Sequence, residues 1–563
     1  MSPHDRPPNA CAVLRDAKSG RWLRFDAPVE VIQTSARGGV LSALLAVQEG
    51  VARGLHAVGA LAYEAAPAFD PALDVRPANP LLPLLWFALF PPPRAAELPE
   101  PAMPERAAWA PSVSQQAYRA AFDQIKRHIR EGDAYQVNLT CRLRSEIGNP
   151  RSALRHPPSA LRPPPSDLLP LFSRLAAAQG ATYGAYLRTP QWAILSASPE
   201  LFFSLDGARL ISRPMKGTAP RGPTLSDDLA HAASLRASEK NRAENVMIVD
   251  MVRNDLGRIA HPGSITVPDR FTLEKYPGVW QMTSTVQADT SASVADIFSA
   301  LFPAASITGA PKCGAMRIIS ENEDSPRGFY TGAVGFIAPG RRAQFNVAIR
   351  TLVLDAEGRA EFGTGGGVVW DSDCDLERRE GATKAGILSA DASPFSLLET
   401  MLWRPGEGVC LLARHLSRLA DSAAYFDVPL DLADLRARLG ARCATLAPRP
   451  HRLRLLVARD GAPTVEAAPF TPPAPDAPPL RVALAERPVD AGDPFLYHKT
   501  TRRRIYEEAL ASRPGCDDVL LWNADGEVTE SARANLVAEL DGRRVTPPVR
   551  CGLLPGTFRR ELL

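Results

Sequence analysis

The stretch WAILSASPELFFSLDGARLISRPMKGT, residues 192–218, joins two strand-like runs, WAILSAS and ARLISR, to two groups able to do chemistry. Lys216 stands between Pro214, which fixes the backbone ahead of it, and Gly217, which lets another group approach closely. A lysine amine is a strong nucleophile once it has lost its proton, and burial beside apolar neighbours favours that loss. Glu200, in SPELFF, is a carboxylate set in apolar sequence and suited to shuttling a proton. Taken alone, a lysine between two turn residues is more often a solvated loop charge.

Outward from this stretch, helices and strands mix without strict alternation. SQQAYRAAFDQIKRHIREG (114–132) has apolar residues at Tyr118, Ala121, Phe122, Ile125 and Ile129, which predicts an amphipathic helix ending at Gly132. GAVGFIA and FNVAIRTLVL read as strands, so the expected class is α+β. Prolines, 53 in all, cluster at Asn79–Pro104, at HPPSALRPPPSD (156–167), and at APRPHRL (447–453) with PFTPPAPDAPP (469–479). The first two clusters read as surface excursions and the last pair as a link between two halves of a smaller unit. Three segments follow: 1–110, 111–390 and 391–563.

A chain of 563 residues, 45% hydrophobic and 23% charged with a formal charge of +3, has the composition of an ordinary globular enzyme. No basic block points to nucleic acid, and no apolar run reaches the roughly 18 residues that span a bilayer. MSPHDRPPNACAVL does not read as a secretory signal, and eight scattered cysteines without zinc-like spacing suit a reducing, cytoplasmic setting.

Two acidic segments point to a cation. ASEKNRAENVMIVDMVRNDLGRI (237–259) reads as a helix with a buried stripe at Val246, Val249, Val252, Leu256 and Ile259, leaving Glu244 at the lip of a largely apolar surface. In WDSDCDLERREGATKA (370–385), Asp371, Ser372 and Asp373 look like N-caps, and Glu377 and Glu380 share a helical face. Three carboxylates from two helices suit Mg²⁺ if a substrate supplies further oxygens; the alternative is a solvated face with Arg378 and Arg379 paired to the glutamates. In FGTGGGVVW (362–370) a glycine turn and the Thr364 hydroxyl are placed to hold a carboxylate, and Arg350, ending FNVAIR, to clamp another.

GDAYQVNLT (132–140), SPELFF, RPMKGT, AENVMIVDMVRNDLGRI, FPAASITGAPKCGAM (302–316), RGFYTGAVGF (327–336), FNVAIRTL and GTGGGVVWDSD stand in the order seen in chorismate-utilising enzymes. Over roughly residues 20–390 the chain resembles the aminodeoxychorismate synthase branch of that family, which carries lysine where anthranilate synthases have alanine. The resemblance implies a β-sandwich with surrounding helices. It also implies that Lys216 attacks C2 of chorismate, that Glu200 assists departure of the 4-hydroxyl, and that ammonia then enters at C4. Glu244 and Glu380, with Glu377 behind them, would hold Mg²⁺. Thr308, Gly309, Tyr330, Arg350, Gly365, Gly366 and Lys384 match positions that contact chorismate. Gln281 replaces a histidine common in the family. No amidotransferase arrangement of cysteine, histidine and glutamate is recognisable, so a separate glutamine amidotransferase or free ammonia is expected.

From about residue 394, LLARHLSRLADSAAYF (411–426), YHKTTRR (497–503), GEVTESARANLV (526–537) and GLLPGTFRRELL (552–563) resemble the class IV fold of pyridoxal-phosphate enzymes, in particular the 4-amino-4-deoxychorismate lyases. By that resemblance Lys499 binds the cofactor, Glu530 faces its ring nitrogen, and Arg418, Gly556 and Thr557 surround its phosphate. Such enzymes continue beyond the LLPGT run, so this smaller α+β unit is expected to be incomplete. The two halves together would give 4-aminobenzoate, a folate precursor; the alternative is an anthranilate synthase component I with a non-catalytic C-terminal module.

Overall fold

The computed structural model describes residues 10–102, 107–147, 167–474 and 476–563, and most of the proline cluster at 156–167 lies outside them. Two compact units are present: one runs to Pro220 and resumes over Leu235–Ala392, the other comprises Arg221–Ser234 and Ser393–Leu563. No helix among the described residues is long and apolar enough to cross a membrane.

The first unit is built on two large sheets whose strand pairs are all antiparallel. One sheet runs, in spatial order, through Gly309–Ala310, Gln136–Glu146, Arg359–Val368, Thr351–Asp355, Trp192–Ser196, Ala185–Arg188, Cys11–Asp16, Arg21–Phe25 and Arg94–Ala96. The other runs through Met215–Pro220, Val279–Asp289, Arg209–Arg213, Leu201–Asp206, Arg342–Val347, Ala333–Ala338, His56–Leu61, Leu85–Phe90 and Glu30–Thr34. Residues before 110 therefore share both sheets with those after it. Between the sheets lies an apolar layer that includes Leu14, Val58, Trp86, Ile194 and Phe336, with Trp86 and Trp192 in edge contact at 5.3 Å. Helices Val40–Ala52, Glu239–Gly257 and Val294–Leu301 cover the outer face of the second sheet, and Leu169–Gln179 that of the first.

Several sequence expectations change here. LWFALF is no surface excursion: Leu85–Phe90 is buried throughout, with alternate side chains entering the two apolar layers, because its prolines flank the strand and never interrupt it. FNVAIRTLVL is not one strand. It breaks between Arg342–Val347 of the second sheet and Thr351–Asp355 of the first, with Arg350 at the corner in the left-handed region, φ 50°. The stretch 192–218 makes a similar crossing, from Trp192–Ser196 to Leu201–Asp206, with Glu200 at the bend. The glycine run is not a turn: Gly363–Gly367 lie within Arg359–Val368, fully paired with Gln136–Glu146.

Helix Gln115–Glu131 ends as expected at Gly132, φ 86°, and starts at the Ser114 cap. In Glu239–Gly257 the buried stripe is rotated. Val246 is 44% exposed, and Asn245, Ile248, Val249, Val252 and Leu256 face inward. Asn245 has a reason to be there: it accepts from the Ser284 hydroxyl at 2.6 Å and donates to the Lys216 carbonyl at 3.4 Å.

The second unit holds a four-stranded antiparallel sheet, Gly408–Val409, Leu397–Arg404, His451–Val457 and Pro463–Pro469, packed against Leu412–Phe426 and Leu432–Ala444. Val482–Leu484, Asp518–Trp522 and Val528–Ser531 form a second sheet. Only the 469–479 proline run joins these parts, since 447–453 feeds directly into His451–Val457. Arg221–Ser234 is unexpected in this unit. Arg221 pairs with Asp228 at 2.6 Å, lies over the Tyr425 ring at 4.4 Å and donates to the Tyr425 carbonyl at 3.0 Å.

Phe298 packs its ring on Phe203 and Phe345 at 5.2 and 4.9 Å, fully buried. Phe298→Ala should destabilise the first unit by about 3–5 kcal/mol, read as a lower urea midpoint.

Candidate active site

The two sheet crossings bring Glu200 and Arg350 to the wall of one cavity of about 130 Å³. Lys216, on the strand Met215–Pro220, enters the same space with Tyr330, Thr364, Gly365 and Gly366. Glu244 arrives from Glu239–Gly257, and Glu377, Glu380 and Lys384 from Cys374–Ala385.

The Lys216 amine is partly buried in this cavity. Burial holds it below the ordinary lysine range and Lys384 adds to the effect, against the pull of Glu244 and Glu200. It makes no ion pair with a described carboxylate; its hydrogen bond is a long one, 3.5 Å to Asn138 Oδ1. A Cβ on Gly367 would stand 2.8 Å from the amine, so the bare strand makes room for it. Burial pushes Glu200 up to about 7, although Lys216 and the Met215 amide, 3.4 Å away, favour its anion. Near neutral pH the site thus holds a carboxyl able to give a proton beside an amine inclined to lose one.

Arg350 is buried and donates to Gln179 Oε1 at 2.6 Å, with no described carboxylate paired to it; burial lowers it to about 10. An unpaired guanidinium in a closed space is a strong site for a substrate carboxylate. The Thr364 hydroxyl is already committed, donating to the Gly381 carbonyl at 2.7 Å. Thr308 and Gly309 do not line the cavity. The Thr308 hydroxyl donates to the Ala304 and Ala305 carbonyls, Gly309 lies against the Gln136 carbonyl, and Ser306 and Ile307 form the wall instead.

The acidic residues line the cavity and stay partly exposed. Burial raises Glu244 and Glu377, whereas Glu380, which burial also tends to raise, is held low by Lys384 at 2.8 Å. Arg378 turns to Asp375. Asp373 alone of the expected caps accepts from helical amides, and Ser372 instead donates to Glu377 at 2.7 Å. Among the described residues the oxygens of Glu244, Glu377 and Glu380 do not converge into a closed cage; the one compact trio is His128, Glu131 and Asp133, elsewhere and largely exposed. Oxygen donors from two helices, open on one side, fit Mg²⁺ that keeps water or substrate oxygens in its shell.

Sequence reasoning passed over Asn138, Lys240 and Ser306, which also line the cavity. Asn138 had a signal: in QVNLT, polar Gln136, Asn138 and Thr140 alternate with apolar residues, and all three are buried on one face of the strand.

In the second unit, burial lowers the Lys499 amine, and Arg418 and Arg503 add to that, against Glu399 and Glu530. Burial raises Glu530 to about 7. Its oxygens accept from Tyr506 at 2.9 Å, the Leu554 amide at 3.2 Å and Asn535 at 3.0 Å, which fixes the carboxyl in one orientation. Gly556 lies against Asn535, where a Cβ would fall 1.8 Å from Oδ1. Arg418 is less available than expected: Glu399 accepts two of its hydrogen bonds, at 2.9 and 2.6 Å, and His415 at 2.7 Å shares that carboxylate. Thr557 sits 3.4 Å from His415. A depressed lysine and an oriented carboxyl in one buried cluster fit pyridoxal phosphate.

Residues 11–390 match the family model of chorismate binding enzymes, and residues 396–563 that of class IV amino-transferases. The chain is 37% identical over 274 residues to aminodeoxychorismate synthase component 1 of Escherichia coli (strain K12), covering 48% of this chain and 56% of that one. It is 37% identical over 285 residues to the protein of that name from Bacillus subtilis (strain 168), covering 50% and 57%. An anthranilate synthase component 1 of Haloarcula marismortui is 36% identical over 292 residues, covering 51% and 54%. The match thus spans a little over half the length of these curated relatives. The solved anthranilate synthase component I of Streptococcus pneumoniae superposes with a TM-score of 0.54 at 22% identity, over 69% of this chain and 94% of that one, a likeness of fold.

Glu200 generates a prediction. If it gives up a proton in the reaction, kcat/KM for the ring substrate should fall through one ionisation near pH 7 on the alkaline side, measured at constant free ammonia. The sign follows from the form required: a carboxyl raised to about 7 is protonated below that pH and spent above it. Glu200→Gln should remove this limb.

Proposed function

Since this chain belongs to the chorismate binding enzyme family, whose model matches residues 11–390, we propose that its first unit aminates chorismate at C4 to 4-amino-4-deoxychorismate. The observation that carries this reading is Lys216, a half-buried amine with no ion pair to a described carboxylate, sharing one cavity with a carboxyl raised to about 7. The neutral amine attacks ring carbon C2, the ring double bonds shift, and the C4–O bond breaks as Glu200 supplies the proton that lets the oxygen leave as water. Ammonia then bonds to C4, the double bonds shift back, and the C2–N bond to Lys216 breaks. A proton from the new nitrogen returns to Glu200. The sum is chorismate plus ammonia giving the amine plus water, with both side chains restored.

Arg350 holds one substrate carboxylate, and Tyr330, Gly365, Gly366 and Lys384 shape the space around the ring. Glu244, Glu377 and Glu380 are the residues that would hold Mg²⁺, which when bound offsets the charge of the ring carboxylate. Relatives named as component 1 of a synthase imply a further component, and a glutamine amidotransferase is the partner that would release ammonia. Eight unpaired cysteines suit the cytoplasm.

Anthranilate formation is the rival, favoured by relatives of that name. Against it stands Gln281, which lines the cavity and donates to Thr218 at 2.5 Å: an amide there cannot protonate a leaving enolpyruvyl group. The second unit is proposed to cleave the amine to 4-aminobenzoate and pyruvate, supplying 4-aminobenzoate to folate synthesis. Pyridoxal phosphate, when bound, supplies an electron sink. Lys499 would take the hydrogen at C4 as the C3–O bond breaks and return a proton to the departing enolpyruvate, which becomes pyruvate, and Glu530 is the residue that would face the cofactor's ring nitrogen.

Mass spectrometry of reactions with chorismate, Mg²⁺ and ammonium should find the 4-amino product; anthranilate as the direct product would overturn the assignment. Lys216→Ala should lower amination by about a thousandfold or more. Separately, protein incubated with pyridoxal phosphate should keep visible absorbance through desalting, and Lys499→Ala should lose it.

A further inference from the structure

We propose that Ser306 is a positioning residue for the amination, its hydroxyl turning to donate to the Glu200 carboxylate once that group has given up its proton. This rests on the amination reading above. Glu200 and Ser306, both buried, line the amination cavity together. A second cavity of about 10 Å³ adjoins them, walled by Phe202, Ser212, Val252, Asp255 and Leu301 as well as by these same two residues. Among the described residues no other is common to both walls.

The Ser306 hydroxyl is free to make this bond. It lies beside the Glu200 carboxyl and favours the anion. Yet no hydrogen bond of ordinary geometry joins the two, and the hydroxyl meets no other partner among the described residues. An interaction that strengthens only as charge develops lowers the barrier, whereas one already complete in the ground state does not. The backbones on both sides are pinned. The Glu200 amide donates to the Ser198 hydroxyl at 3.2 Å, and its carbonyl accepts from the Val347 amide at 3.1 Å. The turn Ala305–Ile307 is held by the Thr308 hydroxyl, donating to the Ala304 and Ala305 carbonyls, and by Arg327, donating to the Ile307 carbonyl at 2.8 Å. The change required is therefore a rotation of side chains alone.

Burial works against a charged Glu200, and few groups offset it: in falling order of effect, the Ser306 hydroxyl, Lys216, the Met215 amide and Lys384. Lys216 contributes only while it carries a charge, and it attacks as the neutral amine. The Met215 amide is 3.4 Å away. Lys384 already pairs with Glu380 at 2.8 Å, and Asp255, on the adjoining wall, with Lys312 at 2.8 Å. Glu244, Glu377, Lys240 and Arg350 are the remaining charged groups on the walls. A cavity of about 10 Å³ holds about one water at most, so bulk solvent does not meet the carboxylate from that side. The serine hydroxyl is thus the neutral donor with most effect on the new charge.

The test follows amination of chorismate by the full chain against pH, at constant free ammonia. Ser306→Ala should move the alkaline limb of kcat/KM up by about one pH unit, because the Glu200 anion loses a donor that its protonated form does not need. It should also lower kcat roughly tenfold and leave the chorismate KM within about twofold. Ser306→Cys, a weak donor of similar size, should move the limb the same way, and Ser306→Thr, which keeps the hydroxyl, should leave it in place. A limb unmoved in both the alanine and cysteine variants, each giving the circular dichroism of the unaltered chain, would overturn the proposal. So would a limb moved equally by threonine, since loss of the hydroxyl would then not be the cause. A limb absent from the unaltered chain, or one that survives Glu200→Gln, counts first against the part given to Glu200 in the amination reading, and the role of Ser306 falls with it.

Discussion

A partly buried lysine amine that has carboxylates nearby but bonds to none of them is the constraint around which the first unit is arranged. Lys216 has several carboxylates in its surroundings and none in bonding contact, so its proton is held weakly. That state needs a dry cavity, a neighbour whose own charge is suppressed, and enough bulk around both to keep water out. The second sheet meets these needs. It carries Lys216 on one strand and Glu200 at the start of another, while the helices packed on its outer face keep the back of the site closed. Any rearrangement that admits water to the cavity would also favour the charged form of this amine.

Much of this was legible in sequence, and the failures have local causes. The helix at 115–131 declared itself through a serine cap, a three-and-four spacing of apolar residues and a terminal glycine. The composition of RPMKGT and SPELFF marked two reactive groups, but nothing in their spacing said that they share a cavity. That follows from chain crossings between sheets, and a crossing has no periodicity of its own. FNVAIRTLVL looks continuous because both of its halves are apolar; the corner at Arg350 is visible only as a backbone angle. LWFALF was obscured by flanking prolines, and the rotation of the 239–257 stripe by a buried asparagine whose partners come from distant strands.

The glycines of 363–367 show how one composition supports two structures. A run of glycine normally signals a turn, since it tolerates any backbone angle. Here the ladder is regular, and glycine is required by what presses on it: the Tyr330 ring at 363, Glu377 at 366, Gln136 and Lys216 at 367. The same absence of side chains that would loosen a turn makes this strand a smooth wall. Thr364 and Lys384 fasten it to the helix Cys374–Ala385, through the Gly381 and Gly365 carbonyls.

The second unit takes a helix from the middle of the chain. Residues 221–234 leave directly after the strand bearing Lys216, and Arg221 seats itself on Tyr425 and binds Asp228. A gene fragment cut at the apparent boundary near 392 would encode this unit without that piece, exposing an aromatic surface it normally covers. Separating the chain there would cost the downstream unit a segment that its own aromatic residues pack against.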